Sequence, residues 1–309
     1  MKRNIVIFGG GSLLAQNFIS KCDTSENKLV LISRNKISKG NLEFNLSEIN
    51  SQIKLDQFSF KIQNELVHNN TVFILFAWSG GPRNIDKEMH IWTSNMNIIF
   101  NFLNLCKIIL PEKIIFLSSA GALYPDNIEG YNFTESDIPS PKTIYGKQKL
   151  ISEKLLTSFS EVYNLDLTIL RIASAYGFDK RFSDQGVINK WLYSAIHNQN
   201  LKLYNSKKSE INFISFDQIS IAILLSLEND LTGIFNIGTT KSILLGEVFE
   251  EIIKITSKKI ILEEINNNNN RFFNIDINKF FIKTGVKFNL NLNEDIRFIY
   301  DSIIKREYL

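Results

Sequence analysis

The chain is poor in residues that cross-link or ligate. Its 309 residues hold two cysteines, Cys22 and Cys106, and three histidines, His68, His90 and His197. Neither cysteine has ligand spacing, so both are expected as buried thiols in a reducing compartment. The histidines are far apart, and no Cys/His cluster or carboxylate spacing suggests a metal, so no metal site is expected. Long apolar runs are missing too: no stretch of about 18 apolar residues argues for a membrane span. A net charge of +3, from scattered Lys and Arg, excludes the basic patch that would bind a nucleic acid polymer or an anionic membrane. Met1-Lys2-Arg3-Asn4 runs straight into a strand-like stretch with no hydrophobic leader, and a cytoplasmic protein is expected. There is no internal repeat and no linker long enough to separate independent domains.

What is present is an ordinary globular composition, 44% hydrophobic and 22% charged, in a chain long enough for one large domain plus a smaller lobe. Ile5-Val6-Ile7-Phe8 ends in Gly9-Gly10-Gly11-Ser12 and passes into Leu13-Leu14-Ala15-Gln16-Asn17-Phe18-Ile19, which has helical spacing. Strand, glycine turn and helix open a dinucleotide-binding fold, in which N–H groups at the helix N-terminus receive a pyrophosphate. Gly9, Gly11, Ser12, Leu13 and Leu14 are the candidate contacts. In the Gly-x-x-Gly-x-x-Gly spacing the positions read Gly9, Ser12 and Ala15, so only the first is glycine. Ala15 still permits close helix packing, Ser12 restricts the approach to phosphate, and a ligand-free glycine turn is the alternative.

The run Lys28–Ile32 ends in Ser33-Arg34-Asn35, at the strand tip that faces an adenosine ribose in this fold. An acid there would accept from the ribose hydroxyls, whereas Arg34 can pair with a 2′-phosphate, so NADP is expected, with NAD possible. A solvated loop arginine is the bland alternative. Asn45, at a third strand end, could bond the adenine. Thr71–Ala77 is a continuous apolar strand of the kind buried on both faces, opening at Ala77 into Trp78-Ser79-Gly80-Gly81-Pro82 at the sheet's carboxyl edge. Asp86–Ile109 is helical, with a mainly apolar stripe through Trp92, Met96, Ile99, Phe100 and Leu103 that suits a core or a subunit interface. Lys113–Leu117 is the next strand, ending in Ser118-Ser119-Ala120, where a hydroxyl can donate to a substrate carbonyl oxygen.

Tyr145 and Lys149 stand four residues apart at the head of a helical segment, so phenol and ammonium lie on one face and can enter one pocket. A free phenol, with a pKa of about 10, is a poor acid or base at neutral pH, and a nearby cation favours its ionised form. Tyr-x-x-x-Lys also arises by chance.

The order glycine turn, apolar strand to Ala77, Asn95, Phe116-Leu117-Ser118-Ser119, Thr134-Glu135 before Pro139, and Tyr145-x-x-x-Lys149 resembles an extended short-chain dehydrogenase/reductase of the NAD-dependent epimerase/dehydratase family. The resemblance continues through Leu167–Arg171, Ala175-Tyr176-Gly177, Gln185-Gly186-Val187-Ile188, Leu201–Tyr204, Asn212–Asp217 and Gly233–Gly238, and the stretch Asn293–Glu307 reads as a closing helix. It implies an α/β fold: a Rossmann-like doubly wound parallel sheet over 1–173, carrying the Tyr/Lys pair, and a smaller C-terminal substrate-binding lobe over 174–309, with about 212–240 returning to the first domain. It implies further that Tyr145 exchanges a proton with a sugar oxygen, that Lys149 holds the ribose hydroxyls and lowers the Tyr145 pKa, and that Ser119 orients the carbonyl. Asn95 acts from behind. Ala77, Asn95 and Ser118 join the cofactor contacts.

The place of the family's usual catalytic hydroxyl is occupied by Ala120, so Ser119 or Ser118 substitutes for it or other groups position the oxygen. A nucleotide-diphosphate sugar is the implied substrate, met by Gly80, Ser119, Tyr145, Ser174, Gln185, Val187, Tyr204 and Arg271, the last against the diphosphate. Relatives usually carry Asn at Ser174 and Arg at Ile211. Ala120-Gly121-Ala122 lacks the acid pair that dehydratases of the family need. The leading expectation is a reductase of a nucleotide-linked 4-keto-6-deoxysugar for a surface polysaccharide. The alternatives are a 4-epimerase with tightly held NAD, or a non-catalytic NADP sensor. A homodimer through the Asp86–Ile109 and Tyr145–Tyr163 helices is implied by the family.

Overall fold

The computed structural model describes residues 2–33, 43–45, 52–66, 70–80, 88–125, 129–178, 186–203, 206–265 and 270–307. The chain divides into two compact units: Met1–Leu123, Pro141–Arg171 and Ser220–Phe235 form the first, and Tyr124–Ser140, Ile172–Ile219 and Asn236–Leu309 the second.

In the first unit the apolar runs become strands. In chain order come β1 (Arg3–Phe8), α1 (Leu13–Lys21), β2 (Asn27–Ser33), β3 (Glu43–Asn45), α2 (Gln52–Glu65), β4 (Thr71–Leu75), α3 (Glu88–Ile109), β5 (Lys113–Ser119), α4 (Ala120–Leu123) and α5 (Ile144–Tyr163). They build a seven-stranded sheet in the order Gly233–Ile237, Asp166–Ile172, β5, β4, β1, β2, β3, with parallel registers from β5 through to β3. Ile5 to Phe8, Val72 to Leu75 and Ile114 to Phe116 are buried throughout, as continuous β-branched and aromatic runs require when helices cover both faces of a sheet. Phe102 of α3 meets Phe8 edge-on at 5.4 Å and lies 6.1 Å from Phe73, pinning that helix to the sheet. Since β1 is flanked by β4 on one side and β2 on the other, the strand order reverses at β1. A crevice opens at such a switch point, outside the carboxyl ends of the strands.

The second unit carries a four-stranded sheet in the order Ile243–Leu244, Glu210–Ile211, Phe272–Ile275, Asn132–Phe133. Amides stitch it together: Asn212 donates to Asn274 at 2.9 Å, and Asn274 to Asn132 at 2.6 Å. Helix Val187–Ile196 buries Trp191 and Leu192, and Tyr176 donates to Asp295, anchoring the start of helix Leu292–Glu307.

The two compact units differ in two respects from the expected division into 1–173 and 174–309. Tyr124–Ser140, although it precedes α5, belongs to the second unit, because Tyr124 stacks on Phe133 at 5.0 Å and donates to Asn236 and to the Thr134 carbonyl. The segment returning to the first unit is Ser220–Phe235, shorter than the expected 212–240. Among the described residues, no helix is long and apolar enough to cross a membrane, and no cluster of three His, Cys, Asp or Glu side chains could hold a metal ion.

Candidate active site

At the carboxyl end of β1 the chain turns sharply. Gly9 has φ +94°, and a Cβ there would lie 2.3 Å from the Ala77 nitrogen. The ends of β1 and β4 therefore meet backbone to backbone, with the Phe76 and Ala77 N–H groups both donating to Phe8 O at 2.8 Å. Ser12 caps α1, its hydroxyl accepting from Ala15 N at 3.2 Å. That occupies one amide of the first turn, while Leu13 and Leu14, as the first helical residues, have N–H groups with no acceptor within the helix. Ser33, the buried last residue of β2, and Asn45, the last of β3, close their strands at the same edge of the sheet. Arg34 lies outside the described residues.

The second group of side chains gathers where β4 and β5 end against the head of α5. Thr143 caps α5, accepting from Gly146 N at 3.1 Å. A Cβ on Gly146 would come within 2.3 Å of the Ala122 carbonyl oxygen, so only glycine lets α5 approach α4 this closely. That approach brings the phenol of Tyr145 into interaction with Ser119, the last residue of β5. Desolvation pushes the phenol up to about 12, and the interaction with Ser119 works against the rise. Lys149 is buried, donates to Leu117 O at 2.8 Å, and is pushed down to about 7 by burial, with the Glu153 carboxylate opposing. Its ammonium lies 3.8 Å from the Trp78 ring centroid, 4.7 Å from that of Phe116 and 5.9 Å from that of Tyr145. In the ligand-free protein desolvation outweighs the other influences on the phenol. Desolvation drives both groups toward their neutral forms, although Tyr145 is half-buried where Lys149 is buried, and the ammonium is engaged with Leu117 and the rings.

Behind them, buried Asn95 of α3 accepts from Ser79 N at 2.8 Å, donates to Ser79 O at 3.1 Å and donates to Gln148 Oε1 at 3.0 Å. Glu153, one turn beyond Lys149, forms a buried two-pronged ion pair with Arg171, at 3.1 Å to Nε and 2.8 Å to Nη2. The hydroxyl of Ser118, the Trp78 indole N–H and Gln148 Nε2 are buried with no hydrogen-bond partner among the described residues. Ala120 is fully buried at the start of α4.

These residues fit a nicotinamide dinucleotide. A glycine turn held open by a backbone contact sits at the sheet's switch point, and a buried ammonium and an unpartnered hydroxyl stand at the neighbouring strand end. Of the remaining candidates, Gly80 is exposed in the loop after Ala77 with φ +72°. Three belong to the second unit. Ser174 opens a short strand, its N–H bonded to Asn212 O at 3.0 Å, and Val187 is the first residue of its helix. Arg271 is half-buried with its guanidinium 5.8 Å from the Phe273 ring. Gln185 and Tyr204 lie outside the described residues. Trp78, Gln148 and Glu153 were not anticipated. The available signals were an indole directly after a buried strand and two polar residues in α5, at three and eight positions beyond Tyr145.

Switch point, glycine turn and Tyr/Lys helix together define an NAD-dependent enzyme of the extended short-chain dehydrogenase type. The chain belongs to the NAD dependent epimerase/dehydratase family, whose model matches residues 5–238. It is 28% identical to dTDP-4-dehydro-6-deoxyglucose reductase of Escherichia coli, over 98% of this chain and 97% of that one. It is also 25% identical to UDP-glucuronate 4-epimerase 1 of Arabidopsis thaliana, over 70% of this chain and 54% of that one. The fold matches UDP-glucuronic acid 4-epimerase from Bacillus cereus with a TM-score of 0.84 at 18% identity, covering 99% of this chain and 100% of that one. It likewise matches the Thermus thermophilus UDP-glucose 4-epimerase in complex with NAD, with a TM-score of 0.83 at 19% identity over 99% and 100%.

Proposed function

We propose that the protein is an NAD(P)H-dependent reductase of a nucleotide-diphosphate 4-keto-6-deoxysugar. The observation that carries this reading is the phenol of Tyr145, set beside Ser119 at the end of β5 with the buried ammonium of Lys149 close by. The end-to-end similarity to the Escherichia coli reductase narrows the substrate class. Gly9, Gly11, Ser12, Leu13 and Leu14 would hold the dinucleotide's phosphates and Lys149 its ribose, and the bound nicotinamide supplies the hydride. Tyr145, which as a phenol holds its proton at neutral pH, donates it to the carbonyl oxygen as that oxygen gains charge. Ser119 shares the same oxygen and fixes its direction, replacing the hydroxyl that Ala120 lacks. Arg271 suits a diphosphate through its planar fork of donors. Preference for NADP rests on Arg34, and a homodimer through α3 and α5 on the family.

A second reading, a 4-epimerase with tightly held NAD, is favoured by the epimerases among the relatives. Purified protein and a small panel of nucleotide-linked ketosugars separate the two. The reductase oxidises added NADPH with a 4-keto-6-deoxysugar. Co-purified NAD together with no net NADPH oxidation refutes it. Tyr145→Phe should bind NADPH normally and lose turnover by about 10²–10⁴-fold; unchanged turnover would remove Tyr145 from the chemistry.

A further inference from the structure

We propose that Trp78 is a positioning residue for the Tyr145–Lys149 pair, holding the ammonium against its indole face while its ring abuts the phenol. The inference rests on the reading of that pair as the proton-transfer group. Lys149 Nζ is 3.8 Å from the centre of the Trp78 ring, nearer than to either other ring around it, and the Trp78 and Tyr145 rings meet at 89° with centroids 6.2 Å apart. One side chain thus touches both members of the pair.

The indole is held in place by the backbone on its carboxyl side. Asn95 grips both the N–H and the C=O of Ser79, and the same amide reaches Gln148, which lies on α5 between Tyr145 and Lys149. The circuit from α5 through Asn95 and Ser79 to Trp78 closes again on α5 at Lys149. Holding the ring there leaves its N–H buried and without a partner among the described residues, a cost that simple gap-filling by an aliphatic side chain would avoid.

A buried ammonium has lost its water, and the Leu117 carbonyl replaces only one of its three possible hydrogen bonds. A tryptophan face attracts a cation more strongly than any other side-chain ring and more strongly still when water is absent. Trp78 therefore favours the charged form of Lys149. The other charged or titratable groups around Lys149 are Tyr145 one turn before it, Glu153 one turn after it, and Arg171, which binds Glu153.

The test uses the full chain and two readouts. With lysine labelled at the ε-carbon and the Lys149 resonance assigned by its loss in Lys149→Met, an NMR titration of the cofactor-free protein gives the Lys149 midpoint directly. Trp78→Leu should lower that midpoint by about one pH unit, and Trp78→Phe should restore at least half of the change. Replacing tryptophan by fluorinated tryptophan drains the ring face without changing its bulk, keeping the test decisive if Trp78→Leu does not fold; it should lower the midpoint as well. In NADPH oxidation with a dTDP-linked 4-keto-6-deoxysugar, the basic limb of kcat/KM should move down with the midpoint, with about a fivefold loss at pH 7 that approaches tenfold at higher pH. A midpoint unmoved by fluorination, or by Trp78→Leu in a folded protein, overturns the role of Trp78. Full turnover in Tyr145→Phe would instead sink the parent reading, and the Lys149 titration separates the two failures.

Discussion

Replacing Lys149 by methionine should make the ligand-free protein more stable near neutral pH while removing the ammonium from its site. The folded chain releases the Lys149 proton at about 7, against an ordinary lysine value of 10.5. Between those values the unfolded chain holds the extra proton, so this residue makes stability rise with pH, by at most about 1.4 kcal/mol per pH unit. At and below neutral pH the fold carries nearly the whole cost of the buried ammonium, roughly 4–5 kcal/mol for that interval. Methionine removes the titration and keeps most of the apolar bulk, but it leaves the Leu117 carbonyl without its 2.8 Å donor, a loss of about 1–3 kcal/mol. The balance at pH 7 is a gain of about 2 kcal/mol for the variant, and the two stability curves should cross between about pH 8 and 10. Urea unfolding of both proteins, without cofactor, in a buffer series spanning that range measures the difference. A Lys149→Met variant that is less stable at pH 7, or whose curve runs parallel to that of the wild type, would refute the reasoning.

Two further outcomes follow from contacts at the same strand ends. Gly9→Ala places a Cβ 2.3 Å from the Ala77 nitrogen at a φ of +94°, so it should cost at least about 2 kcal/mol in urea unfolding and abolish the enhancement of NADPH fluorescence on binding. Normal NADPH binding by the variant would remove the turn from the cofactor site. Glu153→Gln leaves Arg171 buried without its carboxylate and should destabilise the protein by about 3–5 kcal/mol; a loss below about 1 kcal/mol would show that the pair is solvated.

Much of the first unit is legible from residue pattern alone, because strands buried on both faces leave little else for runs such as Val72 to Leu75 to be. The Tyr145/Lys149 spacing likewise needs only helical periodicity to be read. What escaped depends on contacts distant in sequence. Tyr124–Ser140 has no pattern that assigns it to a unit, and its membership follows from Tyr124 reaching Asn236, 112 positions away. The effect of burial on Lys149 and Tyr145 is not legible in the motif, which supplies charges but not desolvation. Trp78 read as the first residue of a loop, and only the folded chain puts its ring under an ammonium 71 positions later.

The amide of Asn95 engages Ser79 in the manner of an adjoining strand, offering one acceptor to its N–H and one donor to its C=O. It works as a single extra rung, prolonging the ladder of β4 beyond Leu75 after the sheet itself has run out of neighbours. The loop that leaves the sheet there is tethered to a helix rather than to another loop. Any change that moved Asn95 on α3 would therefore bear on the backbone of Ser79, the residue next to the indole.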